Sequence, residues 1–271
     1  MPTLDVPGAT LYYETDGRIS DPALLLIHAG VATLRMWDPQ AEALARDRFV
    51  VRFDTRGFGR TTCDDSAYSD RADAIDLLDH LGVQAATVIG ASRGGRIATD
   101  LALEHPDRVT GIVTIGAGLG GFDYPEPTEG EAALIHRIAA AEEAGEWELA
   151  KSLDVELWCI APTRSATELD PAFVETAFAL NRDNLGHEHE RPEPIALSPS
   201  AWARLDDLAA PTLVTIGDSD ISEAMAVFAA VTGRLPAAES HVFAGAAHLP
   251  SVERPDDFER MLTDWLARSG L

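Results

Sequence analysis

The stretch Val88-Ile89-Gly90-Ala91-Ser92-Arg93-Gly94-Gly95 decides how the rest of the chain is read. It leads from a short apolar segment, Ala86 to Ile89, through Gly-x-Ser-x-Gly into a helix-capable run, Arg96 to Leu103. A serine hydroxyl is a poor nucleophile at neutral pH and needs a tight turn, an adjacent base and backbone donors. Strand, sharp turn and helix supply that presentation together. Gly90 and Gly94 admit a close strand–helix approach that a β-carbon would block, so Ser92 can hold a strained conformation with its oxygen exposed. The pentapeptide alone is common by chance, so its meaning depends on its surroundings.

On the N-terminal side, Leu4 to Glu14 alternates and turns at Pro7-Gly8, which predicts an opening hairpin ending near Asp16-Gly17. Ala23-Leu24-Leu25-Leu26-Ile27 is a continuous apolar run, the mark of a strand covered on both faces, and it ends at His28-Ala29-Gly30. Met36 to Leu44 reads as a helix, Phe49 to Phe53 as a second buried strand closing on Asp54-Thr55-Arg56-Gly57-Phe58-Gly59, and Ala72 to Leu81 as a helix. On the C-terminal side, Gly111 to Ile115 and Pro211 to Gly217 read as strands, Glu223 to Thr232 as a helix, and His241 to Phe243 as a short strand. The last helix carries Phe258, Met261, Leu262, Trp265 and Leu266 on one stripe, with Pro255 in its first turn. Strands alternating with helices imply an α/β protein with a mostly parallel sheet, helices on both faces, and a ligand site at the carboxyl ends of the strands.

Between Ala117 and about Ser200 the alternation stops. Gly118 to Gly121 and Pro125-Glu126-Pro127 break the chain, and Ala132 to Ala141, Trp147 to Trp158 and Pro171 to Leu180 look helical. We read residues 117–200 as an inserted helical lid, and 1–116 with 201–271 as one core.

The 271 residues are enough to bury a sizeable core. A formal charge of −24, from 21 cationic and 45 acidic residues, argues against nucleic-acid and anionic-membrane partners, both of which need a cationic face. Cys63 and Cys159 are far apart and in no paired spacing, which fits a reduced, cytoplasmic protein. No apolar run approaches the length of a membrane span, and Met1 to Asp5 lacks the basic-then-apolar pattern of an export signal, so the chain is expected to be unexported. His187-Glu188-His189 has no third ligand at a useful spacing, so no metal is expected there. Homo-oligomerisation stays open at this level.

A serine nucleophile needs a base, and the base needs an orienting acid. Asp220 falls three residues past Gly217, and His248 sits within Gly245-Ala246-Ala247-His248-Leu249-Pro250; both would hang from carboxyl ends of strands, on the edge that carries Ser92. Asp218 competes with Asp220 for the orienting role, and the offset from Gly217 favours Asp220.

At this point the chain resembles the α/β-hydrolase superfamily over nearly its whole length except the lid. Four motifs carry the likeness: His28-Ala29-Gly30, Asp54-x-Arg56-Gly57-x-Gly59, the elbow at Ser92, and Gly-x-x-His248. The resemblance implies Ser92 as nucleophile, His248 as general base and acid, Asp220 as its orienting partner, and an oxyanion hole from the backbone N–H groups of Gly30 and Arg93. It implies no cofactor and no metal, and a small ester or lactone as partner, as in the bacterial enol-lactone hydrolases, arylesterases and cofactor-free haloperoxidases it most looks like. Two departures stand out. Ala29 replaces the usual glycine, and Arg93 replaces the smaller or apolar residue of many relatives.

Arg93 and Arg96, one helical turn apart, resemble the carboxylate clamp of haloacid dehalogenases, so both are candidates for binding an anionic substrate group. Pairing with an acid such as Asp100 is the alternative. Trp158, with Trp147, Phe173 and Phe178, walls an acyl pocket or holds the lid helices together. A carbon–carbon bond hydrolase and a perhydrolase would use the same triad, and a non-catalytic small-molecule-binding protein on a hydrolase fold would be the rival of another class.

Overall fold

The structure, a computed structural model, describes residues 2–271; Met1, which opens the N-terminal stretch read above, lies outside them. The chain begins with the hairpin β1 (Thr3–Val6) and β2 (Ala9–Asp16), then β3 (Ala23–Ile27). A 3₁₀ turn, Leu34–Trp37, runs into α1 (Asp38–Leu44), where Pro39 sits in the first turn and loses no hydrogen bond. Next come β4 (Phe49–Phe53), the two-residue strands β5 (Thr62–Cys63) and β6 (Ala67–Tyr68), and α2 (Asp70–His80), capped by the Ser69 side chain. Then follow β7 (Ala86–Ala91), α3 (Arg93–Glu104) and β8 (Val109–Ile115).

The segment after β8 holds α4 (Glu129–Glu143), α5 (Trp147–Asp154), a π-helical stretch Val155–Ile160, α6 (Pro171–Arg182), β9 (Glu193–Pro194) and α7 (Ala201–Arg204). The core resumes with β10 (Thr212–Gly217), α8 (Ser222–Arg234), β11 (Glu239–Phe243), α9 (Pro250–Glu253) and α10 (Pro255–Ser269).

The sheet order is β1-β2-β4-β3-β7-β8-β10-β11, with β5 added to β2. Every pair from β4 to β11 is parallel, while β1–β2 and β2–β4 are antiparallel. β8 and β10 are neighbours, so the whole helical segment is an insertion between two adjacent strands. Side chains of the central strands alternate between two buried faces. Leu24, Leu26, Val50 and Ile89 pack with Trp37, Phe258, Leu262 and Trp265, while Leu25, Ile27, Val51 and Val88 pack with Leu77, Leu78, Ile97 and Leu101. Burial on both faces is why these strands read as unbroken apolar runs, and each such side chain contributes about 1.5–3 kcal/mol.

One expected element is different. The helix read from Trp147 to Trp158 is α-helical only to Asp154 and then widens into the π stretch, ending at Ala161 with φ 70° and ψ 144°. The wider turn fits an extra residue per turn, which changes the face on which Trp158 emerges.

Candidate active site

The elbow is built by close approach. A Cβ on Gly90 would stand on the Gly94 carbonyl, and one on Gly94 would stand on the Ile27 and His28 carbonyls, so no larger residue fits at either position. Between them Ser92 has φ 52° and ψ −116°, far from the ordinary L-residue regions, a strain of about 1–3 kcal/mol that the packed surroundings must hold. Its N–H continues the β7–β8 ladder to the Ile115 carbonyl at 2.7 Å. α3 begins at the next residue, so the Arg93 N–H stands at a helix N-terminus where no intrahelical acceptor exists.

Across the strand ends, His248 Nδ1 lies 2.8 Å from Asp220 Oδ1, with both side chains almost wholly buried. A carboxylate only accepts, so Nδ1 donates, and in the neutral imidazole Nε2 keeps its lone pair. Nε2 is buried and has no hydrogen-bond partner. The Ile221 N–H also donates to Asp220 Oδ1, at 2.7 Å, which fixes the carboxylate. Gly116 joins the parts. It directly follows Ile115, the acceptor for Ser92, and a Cβ there would stand 2.8 Å from Asp220 Oδ2 and 3.0 Å from His248 Nδ1. Ser92, Asp220 and His248 thus share one edge, at the ends of β7, β10 and β11, around a position that admits only glycine.

Asp218 has a different job. It is exposed, and its Oδ1 accepts the Gly245 N–H at 2.8 Å, so it fastens the loop that carries His248 rather than touching the ring. Arg164, from the insertion, and Glu253, at the end of α9, fasten the same loop. The Arg164 guanidinium donates to the carbonyls of Cys159, Ile160 and Gly245 and to both Glu253 oxygens, and Glu253 Oε2 accepts the Ala247 N–H at 3.0 Å. Trp158 completes the enclosure, its ring centroid 4.7 Å from that of His248. Phe173 is buried in the core, and Phe178 packs against it.

The first central strand ends at a buried His28 with both ring nitrogens engaged, one near the Ala29 carbonyl at 2.8 Å and the other accepting the Thr55 N–H at 3.0 Å. Burial pushes its pKa down to about 3. Ala29 has no positive φ, so its methyl costs nothing at a place where glycine is usual. Asp54 closes its turn by accepting the Leu34 and Arg60 N–H groups, and Arg56 makes a buried two-point pair with Asp73 on α2.

The expected anion site at Arg93 and Arg96 is already occupied by a carboxylate of the chain itself. Arg93 Nη2 lies 2.7 Å from Asp70 Oδ1 and Arg96 Nη2 lies 3.8 Å from Asp70 Oδ2. The acid is Asp70, not Asp100, because α2 packs beside α3 and brings its first residue to the start of the elbow helix. His136 is exposed on α4. Among the described residues no group of three His, Cys, Asp or Glu side chains converges as a metal site would need, and His187 is tied to Glu190 and to the Gly59 carbonyl.

Comparison with known proteins agrees with this architecture. Residues 22–140 match the family described as the alpha/beta hydrolase fold. A 2-hydroxy-6-oxononadienedioate/2-hydroxy-6-oxononatrienedioate hydrolase of Paraburkholderia xenovorans (strain LB400) is 30% identical over 230 residues, which span 80% of this chain and 76% of that protein. A putative carbamate hydrolase RutD of Caulobacter vibrioides is 25% identical over 279 residues, 94% of this chain and 95% of that one. The crystal structure of the enol-lactonase from Burkholderia xenovorans LB400 superposes with a TM-score of 0.75 at 24% identity, covering 98% of this chain and 100% of the other. The chain belongs to the α/β-hydrolase superfamily and is a hydrolase.

Proposed function

We propose that the enzyme cleaves a small, uncharged carboxylic ester or lactone through an acyl-Ser92 intermediate, with residues 117–200 as the lid over the reaction. The observation that carries this reading is the buried His248–Asp220 pair with an unpartnered Nε2, on the edge that bears the strained Ser92. In the proposed sequence Nε2 takes the Ser92 proton as Oγ attacks the carbonyl carbon, and Asp220 stabilises the imidazolium that forms. The oxyanion is held by the N–H groups of Gly30 and Arg93. Collapse returns the proton from His248 to the leaving alkoxide, and water repeats the cycle on the acyl enzyme. Trp158 against His248 supports a narrow, partly apolar acyl site.

Similarity to a dioate hydrolase supports a second reading, carbon–carbon bond cleavage with the same triad. A dioate presents two carboxylates that call for cationic partners, and here Arg93, the cation beside Ser92, is already paired to Asp70, which favours the uncharged ester.

The test is fluorophosphonate labelling of wild type and Ser92→Ala, with mass spectrometry and a panel of nitrophenyl esters, lactones and a ring-cleavage diketone. One adduct on Ser92 is expected, with ester or lactone turnover that falls by about 10⁶-fold in Ser92→Ala. Turnover of the diketone alone would put the second reading first, and no adduct on a folded protein would favour a binding protein.

A further inference from the structure

Arg93 directly follows Ser92, and both terminal nitrogens of its guanidinium are engaged. Nη1 donates to Thr55 Oγ1 at 2.6 Å, Nη2 donates to Asp70 Oδ1 at 2.7 Å and to the Tyr68 hydroxyl at 3.0 Å, and the guanidinium carbon lies 5.1 Å from the Phe58 ring centroid. Thr55 in turn holds His28, whose Nε2 accepts the Thr55 N–H at 3.0 Å and stands 3.1 Å from its hydroxyl. An imidazole nitrogen that accepts an N–H carries no proton, so the His28 proton is on Nδ1 and is donated to the Ala29 carbonyl at 2.8 Å.

That bond has a directional consequence. The Ala29 carbonyl and the Gly30 N–H belong to one planar peptide, and in a trans peptide they point in opposite directions. Among the described residues the cis bond is Ser198–Pro199, so the Ala29–Gly30 peptide is trans. Holding the carbonyl on the His28 ring aims the Gly30 N–H to the opposite side, away from the ring.

We infer that Arg93 is a positioning residue whose guanidinium, through Thr55 and His28, sets the direction of the Gly30 N–H while its own backbone supplies the other oxyanion donor. The inference rests on the acyl-serine reading of Ser92. It assigns the Arg93 charge to the interior of the fold rather than to substrate, and it gives a reason for arginine beside the nucleophile. Asp70 keeps the guanidinium in place and neutral in sum, and burial keeps His28 uncharged.

Two variants interrupt the relay at different points. Thr55→Val keeps the backbone N–H and the side-chain size but removes the hydroxyl between Arg93 and His28. Arg93→Met with Asp70→Asn removes the ion pair without leaving a buried charge. With p-nitrophenyl acetate each is expected to lower kcat by roughly 10- to 100-fold with KM within about two-fold, part of the ~10²–10³ that loss of a whole donor costs. The loss should be equal for neutral and carboxylate-bearing esters. A loss confined to carboxylate-bearing esters overturns the inference and makes Arg93 an anion reader, and an unchanged kcat overturns it too. A second readout needs no turnover: in a Ser92→Ala background, ring-nitrogen NMR should find His28 protonated on Nδ1, and the Gly30 amide resonance should move in both variants. An unmoved Gly30 resonance overturns the inference. If the resonance moves but no acyl donor labels Ser92 in the wild type, the relay stands and the acyl-serine reading falls instead.

Discussion

On α3, Asp100 is 7% exposed, one of its carboxylate oxygens has no hydrogen-bond partner, and burial pushes its pKa up to about 6. The folded state therefore holds a proton that the unfolded chain has released near pH 4. This contribution favours folding most below that value and is lost as pH rises through about 6, a change of about 2–3 kcal/mol. Asp100→Asn imitates the protonated acid. Urea denaturation should find the variant about 1–2 kcal/mol more stable than wild type at about pH 8 and equal to it at about pH 4. A gain of the same size at both pH values would mean that the carboxylate is not the cause. The three residues proposed for catalysis were legible in the sequence because each follows a recognisable strand by a short interval. Asp70 was not, since it lies 23 residues from Arg93 and meets it only through the packing of α2 on α3. Thr55 and His28 were visible as turn residues, but the hydrogen bond that joins them is a tertiary fact.

The insertion is fastened to both loops that carry the proposed base and its acid. Near Asp220, Glu131 of α4 accepts the Ser222 N–H at 2.7 Å and the Ser222 hydroxyl at 2.6 Å, while also completing a capping box with Thr128. Near His248, the Arg164 guanidinium spends all five of its N–H donors on three carbonyls and Glu253. These bonds satisfy the last carbonyls of the π stretch, hold Ala161 in a backbone region that favours glycine, and keep Trp158 against His248. Arg164→Met leaves Glu253 buried and unpaired, so chemical denaturation should show a loss of about 3–5 kcal/mol. Arg164→Met with Glu253→Gln should recover part of it, because the amide still accepts the Ala247 N–H; equal losses would show that the charge left behind is not what matters. At this scale the sequence was a mixed guide. The helix α4 begins at Glu129, three residues before the Ala132 expected from the apolar pattern, because the polar capping box of Thr128 and Glu131, to which that pattern is blind, holds its first turn. Val155-Glu156-Leu157-Trp158-Cys159-Ile160 has nothing to separate a π turn from an α turn; the Arg164 that takes its last carbonyls is itself held by Gly245 and Glu253, 81 and 89 residues further along the chain, and Trp158 rests on the equally distant His248.

The strand alternation set the molecule's layout, and the doubly covered sheet follows from runs such as Leu24 to Ile27, whose neighbours in sequence face opposite layers. The formal charge of −24 acts at this same scale and bears on substrate choice. With Arg93 paired to Asp70, the cation next to Ser92 is neutralised within the fold, and the acidic chain as a whole repels an approaching anion. That repulsion depends on screening, since the Debye length falls from about 30 Å at about 10 mM salt to under about 10 Å above about 0.1 M. For nitrophenyl hemisuccinate, kcat/KM should therefore rise by roughly 3- to 10-fold between about 10 mM and about 500 mM sodium chloride, while the value for the neutral nitrophenyl acetate stays level. A parallel response of the two esters would place the acidic surface away from the entrance and remove the electrostatic argument for an uncharged substrate. A falling hemisuccinate rate would go further, because it would require a cationic patch at the mouth of the site that outweighs the rest of the chain.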